Sequence, residues 1–75
     1  MENMKIEINE FQLVEEICDE LERLGYKKDF ANPYARVVVT WNHIKVYGCL
    51  DMDDNKMFAH PTYTTLEELK KMERN

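Results

Sequence analysis

Ala35-Arg36-Val37-Val38-Val39-Thr40-Trp41-Asn42-His43-Ile44-Lys45-Val46-Tyr47-Gly48-Cys49-Leu50 is the stretch that decides the fold class. Residues 35–41 are β-branched and aromatic, which is strand chemistry. Asn42-His43 reads as a two-residue turn, because Asn tolerates positive φ, and residues 44–50 then return as a second strand. Within that strand Ile44, Val46, Gly48 and Leu50 alternate with Lys45, Tyr47, Cys49 and Asp51. The first set suits a covered face and the second an outward one with Tyr47 at its centre. Three consecutive valines oblige the first strand to show at least one Val on that outward side. Trp41 or Tyr34 can extend this surface, which is a candidate for contact with a partner or a second copy.

Toward the C-terminus, Asp53-Asp54-Asn55 reads as another turn. Lys56-Met57-Phe58-Ala59-His60 reads as a third strand stopped by Pro61. A helix follows, with Thr64 as its cap and Glu67 at the capping-box position. Leu66, Leu69 and Met72 form its apolar stripe. Glu67 precedes Lys71 by four residues, and the charges run acidic to basic in the sense the macrodipole favours.

Toward the N-terminus, Asn9 reads as an N-cap and Gln12 completes a capping box, with Ile8 and Leu13 placed as a hydrophobic staple. From Glu10 to Leu24, Phe11, Val14, Ile17, Cys18, Leu21 and Leu24 recur at three- and four-residue steps and predict one wide helical face. Gly25 supplies the left-handed residue that ends the helix, and Tyr26 folds back on its last turn. Met4–Ile8 alternates and reads as a short strand. The expected architecture is α+β: a helix, a three-stranded antiparallel meander and a helix (α-β-β-β-α), with both helices on one sheet face. Residues 1–75 read as a single domain.

The chain has 75 residues, 44% hydrophobic and 33% charged, a balance typical of a globular domain. Fifteen acidic against ten basic residues give a net charge of −5, and the pI is near 4.9. Sequence-independent binding to nucleic acid runs on Lys and Arg neutralising phosphates, so this charge argues against it. No run is apolar enough to span a membrane, and no basic-then-apolar leader is present. Cys18 and Cys49 belong to no Cys-x-x-Cys pair and read as buried free thiols, which implies a reducing, cytoplasmic setting.

Reactive chemistry has little raw material. The sequence contains no serine, so a serine triad is excluded, and a Cys–His pair would need Cys18 or Cys49 beside His43 or His60, of which Cys49 and His60 fall on neighbouring predicted strands. Asp51, Asp53 and Asn55 match the opening ligands of a calcium loop. Lys56, however, stands where that loop needs glycine, and Thr62 where it needs its bidentate Glu, so the stretch reads as a turn. Two His and two separated Cys make a poor closed zinc site. Gly25 and Gly48 are the two glycines, and neither belongs to a phosphate-cradling loop. The reading assigns no catalytic residue, no metal and no cofactor.

The distribution of acids carries the functional expectation. Glu10, Glu15, Glu16, Asp19, Glu20 and Glu22 stand against Arg23 alone in the first helix, and Asp51, Asp53 and Asp54 add to them. The bland reading is a solvated face that aids solubility. The sharper one is a negative surface that docks on a basic protein groove and denies it to nucleic acid. Glu15, Glu16, Asp19, Asp53 and Asp54 would supply charge, with Trp41 and Tyr47 as aromatic anchors. A homodimer pairing Tyr47, Val38 and Cys49 is the structural alternative.

The helix, three-strand, helix order resembles the double-stranded-RNA-binding topology and is similar to small ribonuclease toxins of toxin–antitoxin pairs. His60-Pro61 followed by Thr65-Leu66-Glu67-Glu68-Leu69 echoes the last strand-to-helix passage of those toxins. Lys27-Lys28-Asp29-Phe30 replaces their Gly-Ser-His stretch, and no basic run opens the second helix, so no ribonuclease or RNA-binding residue carries over. In size, acidity and want of catalytic groups the chain also looks like small phage-encoded inhibitors of host enzymes or defence systems.

Overall fold

The computed structural model describes residues 3–51 and 62–73. In chain order they form β1 (Met4–Glu7), α1 (Val14–Arg23), β2 (Lys27–Ala31), β3 (Val37–Trp41), β4 (Val46–Leu50), β5 (Thr62–Tyr63) and α2 (Leu66–Lys71). The fold is α+β, with a five-stranded mixed sheet in the order β2-β4-β3-β1-β5. β3 pairs antiparallel with both β4 and β1, while the outer strands β2 and β5 run parallel to β4 and β1. The connection from β1 through α1 to β2 therefore spans two intervening strands.

This corrects the expected meander. The β3–β4 hairpin and the short N-terminal strand are present, but β1 and β2 also join the sheet, so the chain order begins with a strand. The third strand expected at Lys56–His60 and the Asp53–Asn55 turn lie outside the described residues. β2 escaped the sequence reading because Lys27-Lys28-Asp29-Phe30-Ala31 has no clean alternation and stays exposed along its length. Lysines at a sheet edge also discourage further strand pairing.

The hairpin loop is four residues long, since Trp41 pairs with Val46. Lys45, not Asn42, takes the left-handed conformation, with φ 55°. Asn42 is instead spent on a buried network. Its Oδ1 accepts from the Tyr26 hydroxyl (2.8 Å) and the Thr40 hydroxyl (2.7 Å), and Thr40 Oγ1 accepts from the Met4 amide (2.8 Å). These bonds tie the end of α1 and the start of β1 to the hairpin, and they satisfy polar groups that burial would otherwise penalise. The Lys45 ammonium lies 4.6 Å from the centre of the Tyr26 ring, within cation–π range.

The two faces of β4 are the reverse of the sequence expectation. Tyr47 and Cys49 point under the helices at 0% and 2% exposure, joining Met4, Ile6, Val38, Ile17, Leu21, Leu24, Leu66 and Leu69 in one core. Alternation specifies which residues share a face but not which face is covered. Tyr47 settles it because its ring fills the space below α1 while its hydroxyl donates to Glu22 Oε2 (2.8 Å) at the helix margin. On the other face Gly48 seats the Phe30 ring: a Cβ at Gly48 would stand 2.6 Å from Phe30 Cζ. The Phe30 and Trp41 rings are 6.1 Å apart. Val37 and Val39 lie on this second face and are buried as well.

α1 starts later than expected. Asn9 Oδ1 accepts from the amides of Phe11 (2.8 Å) and Gln12 (3.0 Å), forming a turn that precedes the helix. This is the use of Asn that competes with helix capping. Phe11 accordingly sits outside the helix at 81% exposure instead of on its apolar face. The C-terminal end follows expectation: Gly25 has φ 99°, with Gly25 N–H donating to Glu22 O and Tyr26 N–H to Leu21 O. That is the paired-bond closure of a left-handed helix end. α2 is capped one residue later than expected, by Thr65 with Glu68 as its reciprocal partner.

Candidate partner-binding surface

On α1 the residues that face the core, Ile17, Cys18, Leu21 and Leu24, recur at three- and four-residue spacing, so the acids between them are turned outward. The fate of each acid differs. Glu20 pairs with Arg23 Nε at 2.7 Å, and Glu22 accepts from Tyr47. Glu15, Glu16 and Asp19 are exposed, and among the described residues no hydrogen bond or ion pair engages them. Arg23, the one base in the helix, is consumed internally. Its Nη1 and Nη2 donate to the carbonyls of Met72 (3.1 Å) and Leu69 (2.9 Å), closing the C-terminal end of α2.

An open cavity of 360 Å³ separates α1 from the β2–β4 edge. Val14, Cys18, Ala31, Ala35 and Cys49 give it an apolar floor. Glu15, Asp19 and Glu22 stand along its helix wall, and Lys28 stands opposite. Glu16 faces the other way, over a second groove shared with Phe11, Gln12 and Lys70. Beside the cavity, Leu13 and Tyr34 are exposed, Tyr34 at 81%. The two loops that carry them are tied by the Ile8 amide donating to Arg36 O at 3.0 Å. The turn holding Tyr34 is set by Asn32, whose side-chain oxygen accepts from the Tyr34 amide at 2.8 Å.

No protein-family model, curated protein or solved structure matches the chain. The site therefore rests on its own chemistry. Of the residues singled out from the sequence, Glu15 and Asp19 share the exposed side of α1 that faces the cavity, and Glu16 is exposed on another side of the same helix. Trp41 is half-buried on the second sheet face beside Phe30, away from that cluster. Tyr47 is a core residue and offers no surface to a partner. The dimer built on Tyr47, Val38 and Cys49 fails for the same reason, since all three lie beneath the helices. Asp53 and Asp54 lie outside the described residues, as do His60 and Asn55. Leu13 as a neighbour of the acids was not anticipated: it looked like a staple residue until the helix start moved past it.

Cys49 is held as a neutral thiol. Burial pushes its pKa up to about 12, the charge and hydrogen bond of Cys18 act in the same direction, and Lys28 opposes them weakly. This is the opposite of the lowered pKa that activates a cysteine nucleophile. Among the described residues no group of three or more His, Cys, Asp or Glu is arranged to hold a metal ion. No helix there is long and apolar enough to cross a membrane.

The raised pKa sets an alkaline limit on stability. The ordinary thiol value is 9.0 and the folded value about 12, so above pH 9 the unfolded chain releases a proton that the folded chain keeps. Stability therefore falls as pH rises between those values. Burial raises Tyr26, and burial with the Glu22 hydrogen bond raises Tyr47, adding to the loss above pH 10. Urea midpoints measured from pH 8 to 10.5 should hold up to about pH 9 and drop above it. A Cys49→Val variant should show no drop between pH 9 and 10, and an unchanged profile would contradict the burial of the thiol.

Proposed function

We propose that the chain is a small protein-binding module that inhibits or regulates a nucleic-acid-handling protein by covering its basic surface. The supporting observation is that Glu15, Glu16 and Asp19 are exposed and, among the described residues, unpaired, while Arg23 and Glu20 are used to build the fold. Carboxylates held on a helix present charge with a fixed spacing, and such charge speeds capture of a complementary groove and selects against acidic partners. Leu13, exposed at the N-terminal end of α1, supplies apolar contact, which carries more binding energy than rim charge.

The test is a Glu15→Lys, Glu16→Lys, Asp19→Lys variant. It retains the native circular dichroism spectrum, because all three side chains are exposed. The tagged parent chain retains a nucleic-acid-binding protein from extract of its own cells, and added DNA or RNA competes for that protein. The variant loses at least about a hundredfold in affinity for the same protein, and the parent's affinity falls as salt rises. Equal binding by parent and variant at physiological salt would overturn the reading.

A further inference from the structure

The cavity between α1 and the β2–β4 edge has a chemistry of its own. It is apolar at the bottom, where Val14, Cys18, Ala35 and Cys49 meet, and anionic along one wall, where Glu15, Asp19 and Glu22 follow each other down α1. Three carboxylates against the single ammonium of Lys28 leave two negative charges unbalanced around it. Its 360 Å³ lies within the range of built ligand sites, which run to roughly 300–1,000 Å³. A ligand that fits has an apolar stem and a cationic head.

We infer that this cavity receives an arginine side chain from the bound protein, the stem lying on the apolar floor and the guanidinium meeting Glu15 and Asp19. This rests on the protein-binding reading above and names what that surface grips. Arginine suits the site better than lysine for two reasons. Its planar head donates to two carboxylates at once, and it is less strongly hydrated, so entering a partly apolar pocket costs it less. Its methylene stem covers apolar surface while the charge stays at the mouth. Lys28, on the far wall, repels the head and so directs it toward the helix.

The experiment is an amide chemical-shift titration of the full chain with a short blocked peptide of alternating arginine and alanine, with glutamine and lysine versions as controls. The inference expects shifts concentrated at Cys18, Asn32, Ala35 and Cys49 with the arginine peptide. It expects about tenfold weaker binding of the lysine peptide and no saturable binding of the glutamine peptide. An Ala35→Leu variant fills the floor and keeps every carboxylate, and it should weaken the arginine peptide at least about tenfold. Shifts spread evenly along α1, or equal affinity for lysine, would overturn the cavity assignment on the unaltered chain, whether or not Ala35→Leu folds. Undiminished binding by a folded Ala35→Leu chain would do the same. In each of those cases the loss of partner binding on charge reversal of α1 still decides the broader reading separately.

Discussion

Tyr47→Ala is expected to lose about 3–5 kcal/mol, a large share of the whole stability of the fold. The ring is fully buried below α1, in the same cluster as Ile17, Leu21 and Cys49. Removing an aromatic side chain from such a place costs about 3–5 kcal/mol, as lost transfer energy plus the void left behind. A domain of 75 residues is stable by only about 4–11 kcal/mol in all. Tyr47→Phe separates the ring from the hydroxyl. It keeps the packing and frees Glu22, which is exposed and regains water, so the expected loss is about 0.5–1.5 kcal/mol. Urea unfolding followed by circular dichroism reads both. An alanine variant within 1 kcal/mol of the parent would mean that Tyr47 is not a core residue, and the outward-facing arrangement of β4 would have to be restored.

Arg23→Met is the second large effect, and it strikes one element selectively. α2 has six residues, too few to be helical without outside support. Gln12 Oε1 accepts from the Leu66 amide at its start (2.9 Å), and the Arg23 guanidinium meets the carbonyls of Leu69 and Met72 at its end. Helix ends leave such groups without partners inside the helix. Charge-assisted bonds of this kind contribute about 1.5–3 kcal/mol together, and methionine keeps most of the apolar stem. The expected change is a fall of roughly 8–16 °C in Tm for a loss near 2 kcal/mol. It comes with faster amide exchange in α2 and little change in β3 and β4. Glu20→Gln tests the remaining contact, a half-exposed pair expected to matter by less than about 1 kcal/mol. Uniform loss of protection across the molecule would show that Arg23 supports the whole fold and not α2 alone.

These two residues mark where reading the chain in one dimension stops. Tyr47 was visible as an aromatic in an alternating strand, but alternation has two phases, and the apolar phase of Ile44, Val46, Gly48 and Leu50 looked like the covered one. Arg23 looked like the lone counter-charge in an acidic helix, and nothing local indicates that it reaches residues 46 and 49 positions away. Gln12 is similar. Its spacing from Asn9 suggested a capping box, yet its side chain closes a helix at the opposite end of the sequence. Of the candidate surface, the exposed acids of α1 were legible because helical periodicity puts Glu15, Glu16 and Asp19 outside whatever covers Ile17 and Leu21. The cavity was not legible, since it needs β2 alongside β4, and a polar strand of Lys27, Lys28 and Asp29 carries no periodic signal.

Sequence alone determined what depends on neighbours a few residues apart. The left-handed stop at Gly25 follows from the missing Cβ, the hairpin strands from their β-branched runs, and the negative sign of α1 from its composition. Tertiary structure decided what depends on contacts between distant segments: the parallel edge strands, the covered face of β4, the pocket beside α1 and the two clamps on α2. The physical reason is that a local hydrogen bond or φ preference is encoded where it acts. Burial of a face and satisfaction of a helix end, in contrast, are settled by whichever distant group gains most by filling the space.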